Sequence, residues 1–322
     1  MRVPSCVRLI VLALATLVSA QAWAQYPTRP IKLIVPIPPG GAPDISARVV
    51  GQRLSELVGQ AVVVENRPGS NGNIAMDFVA KSQPDGYTLG LLADSMVTIN
   101  PHLYKGMQTD PLKDLAPVAS VVSNQWVLSV NPSVPVKDFK EFIEYARRAR
   151  PPLAYASGGN GSIHQLVMEM LKQRAGIDLV HVPYKGGAPA TTATVAGEVA
   201  AMFSGTSSAP QIKSGRLRAL AVTGQRRSDI FPDLPTIAEF YPGYEVTIWL
   251  GLFSAAGTPE PVLASLHAEV NKLLAEPDVR SKLHAAGGLE PYLSTPAEFT
   301  ALIRSDYEKY GKLVKAVGVK VD

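Results

Sequence analysis

Cysteine is almost missing from this chain: among 322 residues only Cys6 carries a thiol, and it lies near the N-terminus. Beyond it, disulfides, cysteine nucleophiles and cysteine-ligated metals are excluded, so stability has to come from an apolar core. Charge is sparse as well, at 18% of residues against about 25% in an ordinary globular protein. The formal net charge of +4 includes Arg2 and Arg8, and the rest of the chain lacks the basic surplus that nucleic-acid binding needs. Enzyme signatures are missing too. There is no G-x-S-x-G elbow, no Walker A loop, no strand-borne G-x-G-x-x-G and no H-E-x-x-H. The five histidines, His102, His164, His181, His267 and His284, are dispersed and form no pair at metal-ligand spacing. No catalytic residue, metal or cofactor is expected.

What is present begins with a leader. Arg2 and Arg8 precede an uncharged run, Leu9 to Val18, and Ala22-Trp23-Ala24 is a small-x-small cleavage pattern, together the three parts of a secretory signal peptide. The run is about half the roughly 20 apolar residues a membrane span needs, and no later stretch is long enough. Residues 1–24 are therefore expected to be removed, giving a soluble exported chain that starts at Gln25. Cys6 leaves with the leader and precedes the apolar run, so it is no lipid-modified cleavage-site cysteine.

The mature sequence repeats one theme: a short apolar strand, a loop of glycine and small polar residues, then a helical pattern. Ile31 to Ile37 runs into Pro38-Pro39-Gly40-Gly41-Ala42-Pro43-Asp44. Ala61 to Glu65 leads to Asn71-Gly72-Asn73, and Tyr87 to Leu92 to Ala93-Asp94-Ser95. The theme restarts at Leu153 to Ala156, followed by Ser157-Gly158-Gly159-Asn160-Gly161. Ser162 with Gln165 is a capping box for the next helix, which Gly176 ends. Leu179 to Val182 leads into Tyr184-Lys185-Gly186-Gly187, Ala200 to Phe203 into Ser204-Gly205-Thr206-Ser207-Ser208, and Arg218 to Val222 closes the series. Strands alternating with helices imply an α/β fold of parallel sheets covered on both faces, with ligands at the carboxyl ends of the strands. Two such series predict two lobes with a cleft between them. The apolar stretches Val118 to Val130 and Val246 to Phe253 are expected to carry the chain out of the first lobe and back. Helical patterns over Pro261 to Leu274 and Pro296 to Val317 should return to it. The expected division is lobe one over 25–124, lobe two over 125–248 and a return segment over 249–322.

Each loop has a functional and an ordinary reading. Pro38 to Asp44 can gather backbone N–H groups at a helix start, an anion site without Lys or Arg; it can equally be a turn in which Asp44 faces the helix dipole. Ser157 to Ser162 repeats that chemistry with hydroxyl and amide groups, and His164 lies within the helix's first turn as a ligand contact or a structural residue. Tyr184-Lys185-Gly186 offers a phenol, an ammonium and flexible backbone, or is a surface loop with a snorkelling lysine. Asp94-Ser95 is a weaker candidate. Ser162 and His164 are no nucleophile and base, because residues two apart diverge on a helix. The ingredients suit gripping a small anion and not transforming it.

At these loops the chain resembles the Bug-type extracytoplasmic solute receptors, the periplasmic binding proteins of tripartite tricarboxylate transporters. The resemblance spans essentially the whole mature chain. It rests on Tyr26-Pro27 with Arg29-Pro30-Ile31, Val35 to Gly41 with Asp44, Glu65 to Gly69 with Gly72, and Pro84 to Leu89. Further on it rests on Asn100-Pro101 with Leu103-Tyr104, Tyr155 to Ser162, His181 to Gly186, Leu217 to Thr223 and Leu234-Pro235-Thr236. It implies a two-lobed periplasmic-binding-protein fold of type II topology, closing on a small carboxylate held by backbone amides and waters. The contacts it implies are Pro39, Gly40, Gly41, Asp44, Ser157, Gly159, Asn160, Gly161, Ser162, His164, Tyr184, Lys185 and Gly186, to which the strand-end residues Ser95 and Ser204 are added as candidates. The family often has an Asp after the strand ending at Phe203. Serine at 204 removes that partner for a ligand ammonium and leans toward a plain or aromatic carboxylate.

The expected function is therefore capture of a small carboxylate by cleft closure and its delivery to integral membrane transporter subunits, by a monomer that binds no nucleic acid. The rival readings are an exported enzyme acting on a carboxylate, and a ligand sensor for a membrane signalling protein. Which carboxylate is bound does not follow from the sequence.

Overall fold

The computed structural model describes residues 26–40, 42–205, 208–286 and 289–318; the expected leader and Gly41 lie outside the described residues. The first series builds β1 (Ile31–Val35), α1 (Ala42–Val58), β2 (Val62–Asn66), α2 (Asn73–Ala80) and β3 (Thr88–Ala93). Short helices α3 (Asp94–Thr98), α4 (Asn100–Leu103) and α5 (Pro111–Asp114) lead to β4 (Leu115–Gln125). The second series is β5 (Val127–Val130), α6 (Phe139–Arg148), β6 (Leu153–Ser157), α7 (Ile163–Ala175), β7 (Leu179–Pro183), α8 (Gly187–Ala196), β8 (Ala201–Ser204), α9 (Ala209–Lys213) and β9 (Arg218–Val222). The chain then returns through β10 (Thr247–Ala255), α10 (Glu260–Leu274), α11 (Pro277–Ala285), β11 (Glu290–Pro291) and α12 (Pro296–Val317).

Two sheets result, with strand orders β11-β4-β10-β3-β1-β2 and β7-β6-β8-β5-β9. Their central strands are buried on both faces, as β5 and β8 show at every position, because helices cover both sides. The sheets are mixed, not parallel throughout. β10 runs antiparallel to β3 and β4, and β5 runs antiparallel to β8 and β9. Two of the reversed strands, β10 and β5, enter from the other sheet; the third is the short edge strand β11, antiparallel to β4. β4 runs to the carboxyl edge of its sheet and, one residue later, β5 starts at the carboxyl edge of the next, pairing Val127 with Ser204 and with Val222. A strand entering at that edge has to run away from it. The two carboxyl edges therefore meet at Trp126, which interrupts the stretch expected as one strand.

Thr223 clips the crossing. Its backbone N–H donates to Trp126 O (3.0 Å) and its hydroxyl accepts from Trp126 N–H (2.9 Å). The same hydroxyl donates to Val246 O (2.6 Å), and Val246 N–H returns to Thr223 O (3.0 Å). A further connection is α12, begun by a capping box at Thr295 and Glu298. Phe299 and Ile303 pack with Trp249 and Phe253 of the first sheet, while Tyr310, Leu313 and Val314 join the core of the second. Gly251 permits the first contact, since a Cβ there would collide with the Phe299 ring. Among the described residues no helix is long and apolar enough to cross a membrane.

Candidate ligand-binding site

The loops singled out in the sequence are strand-end loops, and they lie at the edges that meet at Trp126. In the first sheet, the loop after β1 is organised by Asp44, which is 2% exposed. Its carboxylate accepts from Gly40 N–H (2.9 Å), from Arg48 Nε (3.1 Å) and Nη2 (2.9 Å), and from Asn66 Nδ2 (2.8 Å). Asn66 also donates to Ile37 O (3.0 Å), so the ends of β1 and β2 are tied together. The Arg48 bonds, ahead of those from Gly40 and Asn66, hold the Asp44 carboxyl down at about 2. Asp44 thus grips the loop from inside and takes up one of the N–H groups, Gly40's, that the anion reading left for a ligand. Pro39 and Gly40 are exposed.

Asp94 and Ser95 open α3 at the end of β3 and do not lie in a loop. Asp94 is buried, and its Oδ2 has no hydrogen-bond partner among the described residues. Burial, reinforced by the charge of Asp306, pushes its carboxyl up to about 8, against the opposing influence of Ser95 N–H and Lys309. It is a neutral acid at pH 7.

In the second sheet the loop after β6 is knitted by its own hydroxyls. Ser157 Oγ donates to Gly159 O (3.0 Å), accepts from Gly159 N–H (3.1 Å) and lies 2.5 Å from His181 Nε2. Ser162 caps α7, and its hydroxyl donates to Gly159 O (2.7 Å). Gln165 reaches back to Gly161 N–H (2.8 Å), one residue short of the reciprocal bond of a full capping box. Gly159 and Gly186 adopt φ of +125° and +108°, conformations that disfavour any residue with a Cβ. The two loops are zipped by Tyr184 N–H to Ser157 O (2.9 Å) and Gly186 N–H to Gly158 O (3.1 Å). Asn160 and Lys185 are exposed and make no side-chain hydrogen bond or ion pair among the described residues. The Tyr184 hydroxyl turns toward Glu198 (3.4 Å).

His164 meets Trp126, ring centroids 4.5 Å apart and edge to face. A Cβ on Gly158 would come 3.0 Å from its Nδ1, and one on Gly187 3.1 Å from its Nε2, so two glycines and an indole fix the ring. Burial pushes the imidazole down to about 4, leaving it neutral. His164 Nδ1, Trp126 Nε1 and Gln211 Oε1 are all buried without a hydrogen-bond partner among the described residues. Such groups are destabilising unless something else satisfies them. His164, Gln211 and Ser204 line one cavity of about 380 Å3 beside α8. Sequence reasoning found His164 and Ser204 but missed Trp126 and Gln211. An indole inside an apolar run carries no mark of a crossing point, and Gln211 follows an ordinary Ala-Pro helix start.

Two α/β lobes joined by crossing strands, with their strand-end loops at the junction, define a periplasmic-binding-protein fold of type II topology. Comparison with known proteins gives the family. The model for the tripartite tricarboxylate transporter family receptor matches residues 46–319, and the chain belongs to that family. It is similar to Protein BugT of Bordetella pertussis, 34% identical over 315 residues covering 97% of this chain and 96% of BugT. Among solved structures it is similar to R. palustris Rpa4515 with adipate, at 35% identity and a TM-score of 0.79, covering 92% of this chain and 99% of that one. It also resembles MatC from Rhodopseudomonas palustris with bound malate, at 30% identity and a TM-score of 0.75, covering 90% and 100% of the two chains. Solute binding in the periplasm is the business of this family and fold.

Proposed function

We propose that this chain is exported by a cleaved leader, closes its lobes on a small carboxylate and delivers it to the membrane subunits of a tripartite transporter. The observation that carries the reading is the meeting of the two carboxyl edges at Trp126, which sets glycine-rich loops from both sheets about one junction. The open form would take the carboxylate on the loop after β1, and the loops after β6, β7 and β8 would reach it on closure. Hydrogen bonds to an ionised acceptor, each worth about 1.5–3 kcal/mol net, would replace its hydration. Relatives solved with adipate and malate support an acidic ligand.

The test is a thermal-shift screen of the mature chain, refolded to remove any co-purified ligand, against carboxylates at ~1 mM. A ligand of micromolar Kd is then near 1,000 times Kd and adds ~4 kcal/mol. A shift confined to one carboxylate class supports the reading; a flat response from folded protein overturns it. Gly159→Val provides the structural counterpart. At φ +125° a Cβ would lie 3.4 Å from Tyr184 O, so the loop has to rearrange. Calorimetry should show affinity at least tenfold weaker; wild-type affinity would place this loop outside the ligand's reach.

A further inference from the structure

His181 lies on β7 level with Tyr155 of β6, and alternate strand residues share a face, so Tyr155, Ser157 and His181 stand on one side of the second sheet. The imidazole stacks on the Tyr155 ring, with centroids 5.1 Å apart and planes 27° from parallel. Tyr155 is fully buried, and its hydroxyl donates to Glu169 (2.6 Å), which Lys172 holds from one turn further along α7 (2.9 Å). The strand and the stacking fix the ring, and its Nε2 lies 2.5 Å from Ser157 Oγ. An apolar side chain could occupy the same place on β7 without that contact.

Ser157 passes the anchorage on to the loop. Its hydroxyl meets both polar groups of Gly159, the carbonyl at 3.0 Å and the N–H at 3.1 Å. Gly159 O also accepts from Ser162 Oγ (2.7 Å) and from Ser162 N–H (3.2 Å). Ser157 is buried and Asn160 exposed, so the carbonyl is clasped on the inner side of the loop. The peptide joining Gly159 to Asn160 is trans, and a planar trans peptide points its C=O and its N–H in opposite directions. Holding the carbonyl inward therefore turns the Asn160 N–H outward. There, at the carboxyl edge of the sheet, it makes no hydrogen bond among the described residues.

We propose that His181 is a positioning residue of the binding loop: through Ser157 it holds the Gly159–Asn160 peptide so that the Asn160 N–H is set to donate to the ligand's carboxylate before the lobes close. The proposal rests on the carboxylate-receptor reading above and adds to it a residue that does not itself touch the ligand. A donor fixed in advance saves the ordering cost that a mobile loop would meet on binding.

The experiment is calorimetry on the mature chain, with adipate and malate as the first probes and, where wild type binds neither, the acid of the thermal-shift panel that it does bind. His181→Phe keeps a ring against Tyr155 and loses the nitrogen, and affinity should fall at least tenfold. His181→Gln carries an amide of similar reach that can donate to Ser157 Oγ or accept from it, and should stay within threefold of wild type. His181→Asn is too short to reach and should match His181→Phe, which keeps the comparison decisive should the Phe variant fail to fold. Because His181 acts through Ser157, adding His181→Phe to Ser157→Ala should weaken binding no further than Ser157→Ala alone. Wild-type affinity in His181→Phe or His181→Asn, a loss in His181→Gln as large as theirs, or additive losses in the double variant overturn the inference and leave the receptor reading standing. Silence of the wild-type chain toward every carboxylate overturns both.

Discussion

Asp44→Ala is expected to lower folding stability by about 2–3 kcal/mol and to weaken carboxylate binding at least tenfold. The geometry assigns the carboxylate to the loop's own architecture. Removing it strips Gly40 N–H, Asn66 Nδ2 and Arg48 of an acceptor at a residue only 2% exposed. Taking a charged acceptor away from these part-buried bonds costs about 1–3 kcal/mol. The Arg48 share is discounted because that side chain is 53% exposed. In a chain of this size the melting temperature should fall by about 5 °C. The pH dependence gives a second readout. Folding lowers the Asp44 carboxyl from 3.8 to about 2, so its stabilisation is present above pH 4 and is lost as the pH falls through 2. The variant should lose less stability than wild type over that interval. Asp44→Ala with wild-type stability would show that the loop holds its shape without this clasp.

The strands were legible because each is a short apolar run punctuated by glycine or proline, and Arg218 to Val222 is observed as expected. Strand direction was not. Whether Val127 to Val130 runs with or against its neighbours depends on the edge at which it enters the sheet, and composition at those four positions is the same either way. Helix α8 was missed for a local reason. Its sequence, GAPATTATVA, is poor in helix formers, and its threonines bond back to carbonyls four residues earlier. Helix α11 was missed because Pro277 to Ala285 is short and follows another helix without a glycine stop. In the candidate site, residue types were readable and the direction of their bonds was not. Ser157, Ser162 and Tyr184 point their hydroxyls at their own loops or at Glu198, whereas the orphaned groups at the junction, Trp126 and Gln211, come from segments that look unremarkable in one dimension.

Asp94→Asn should make the protein more stable at pH 8 than wild type while narrowing or reversing that advantage at pH 5. Asp94 sits at the start of α3, buried and with one oxygen unpaired. The groups on α12 that act on it are Asp306, Lys309 and the Tyr310 hydroxyl, itself without a partner among the described residues. Asp306 is engaged by Trp249 Nε1 (2.9 Å) and Lys309 Nζ (2.6 Å), so its negative charge is fixed in place and discourages a second. Desolvation by burial is the larger cause, and the Asp94 proton is retained up to about pH 8, whereas the unfolded chain releases it near 3.8. Across that window the folded state binds the extra proton, and stability falls as pH rises, with a slope approaching about 1.4 kcal/mol per pH unit. The histidines act in the opposite sense: burial lowers the pKa of His102, His164 and His181, so their contribution grows as pH rises toward 6.5 and is flat above it. The interval from pH 7 to 8 therefore isolates Asp94. Urea unfolding at pH 5, 6, 7 and 8 should show wild type losing stability over the last unit while Asp94→Asn stays level. Parallel curves for the two proteins would mean that Asp94 is already ionised at neutral pH, and that α12 tolerates two carboxylates beside Tyr310.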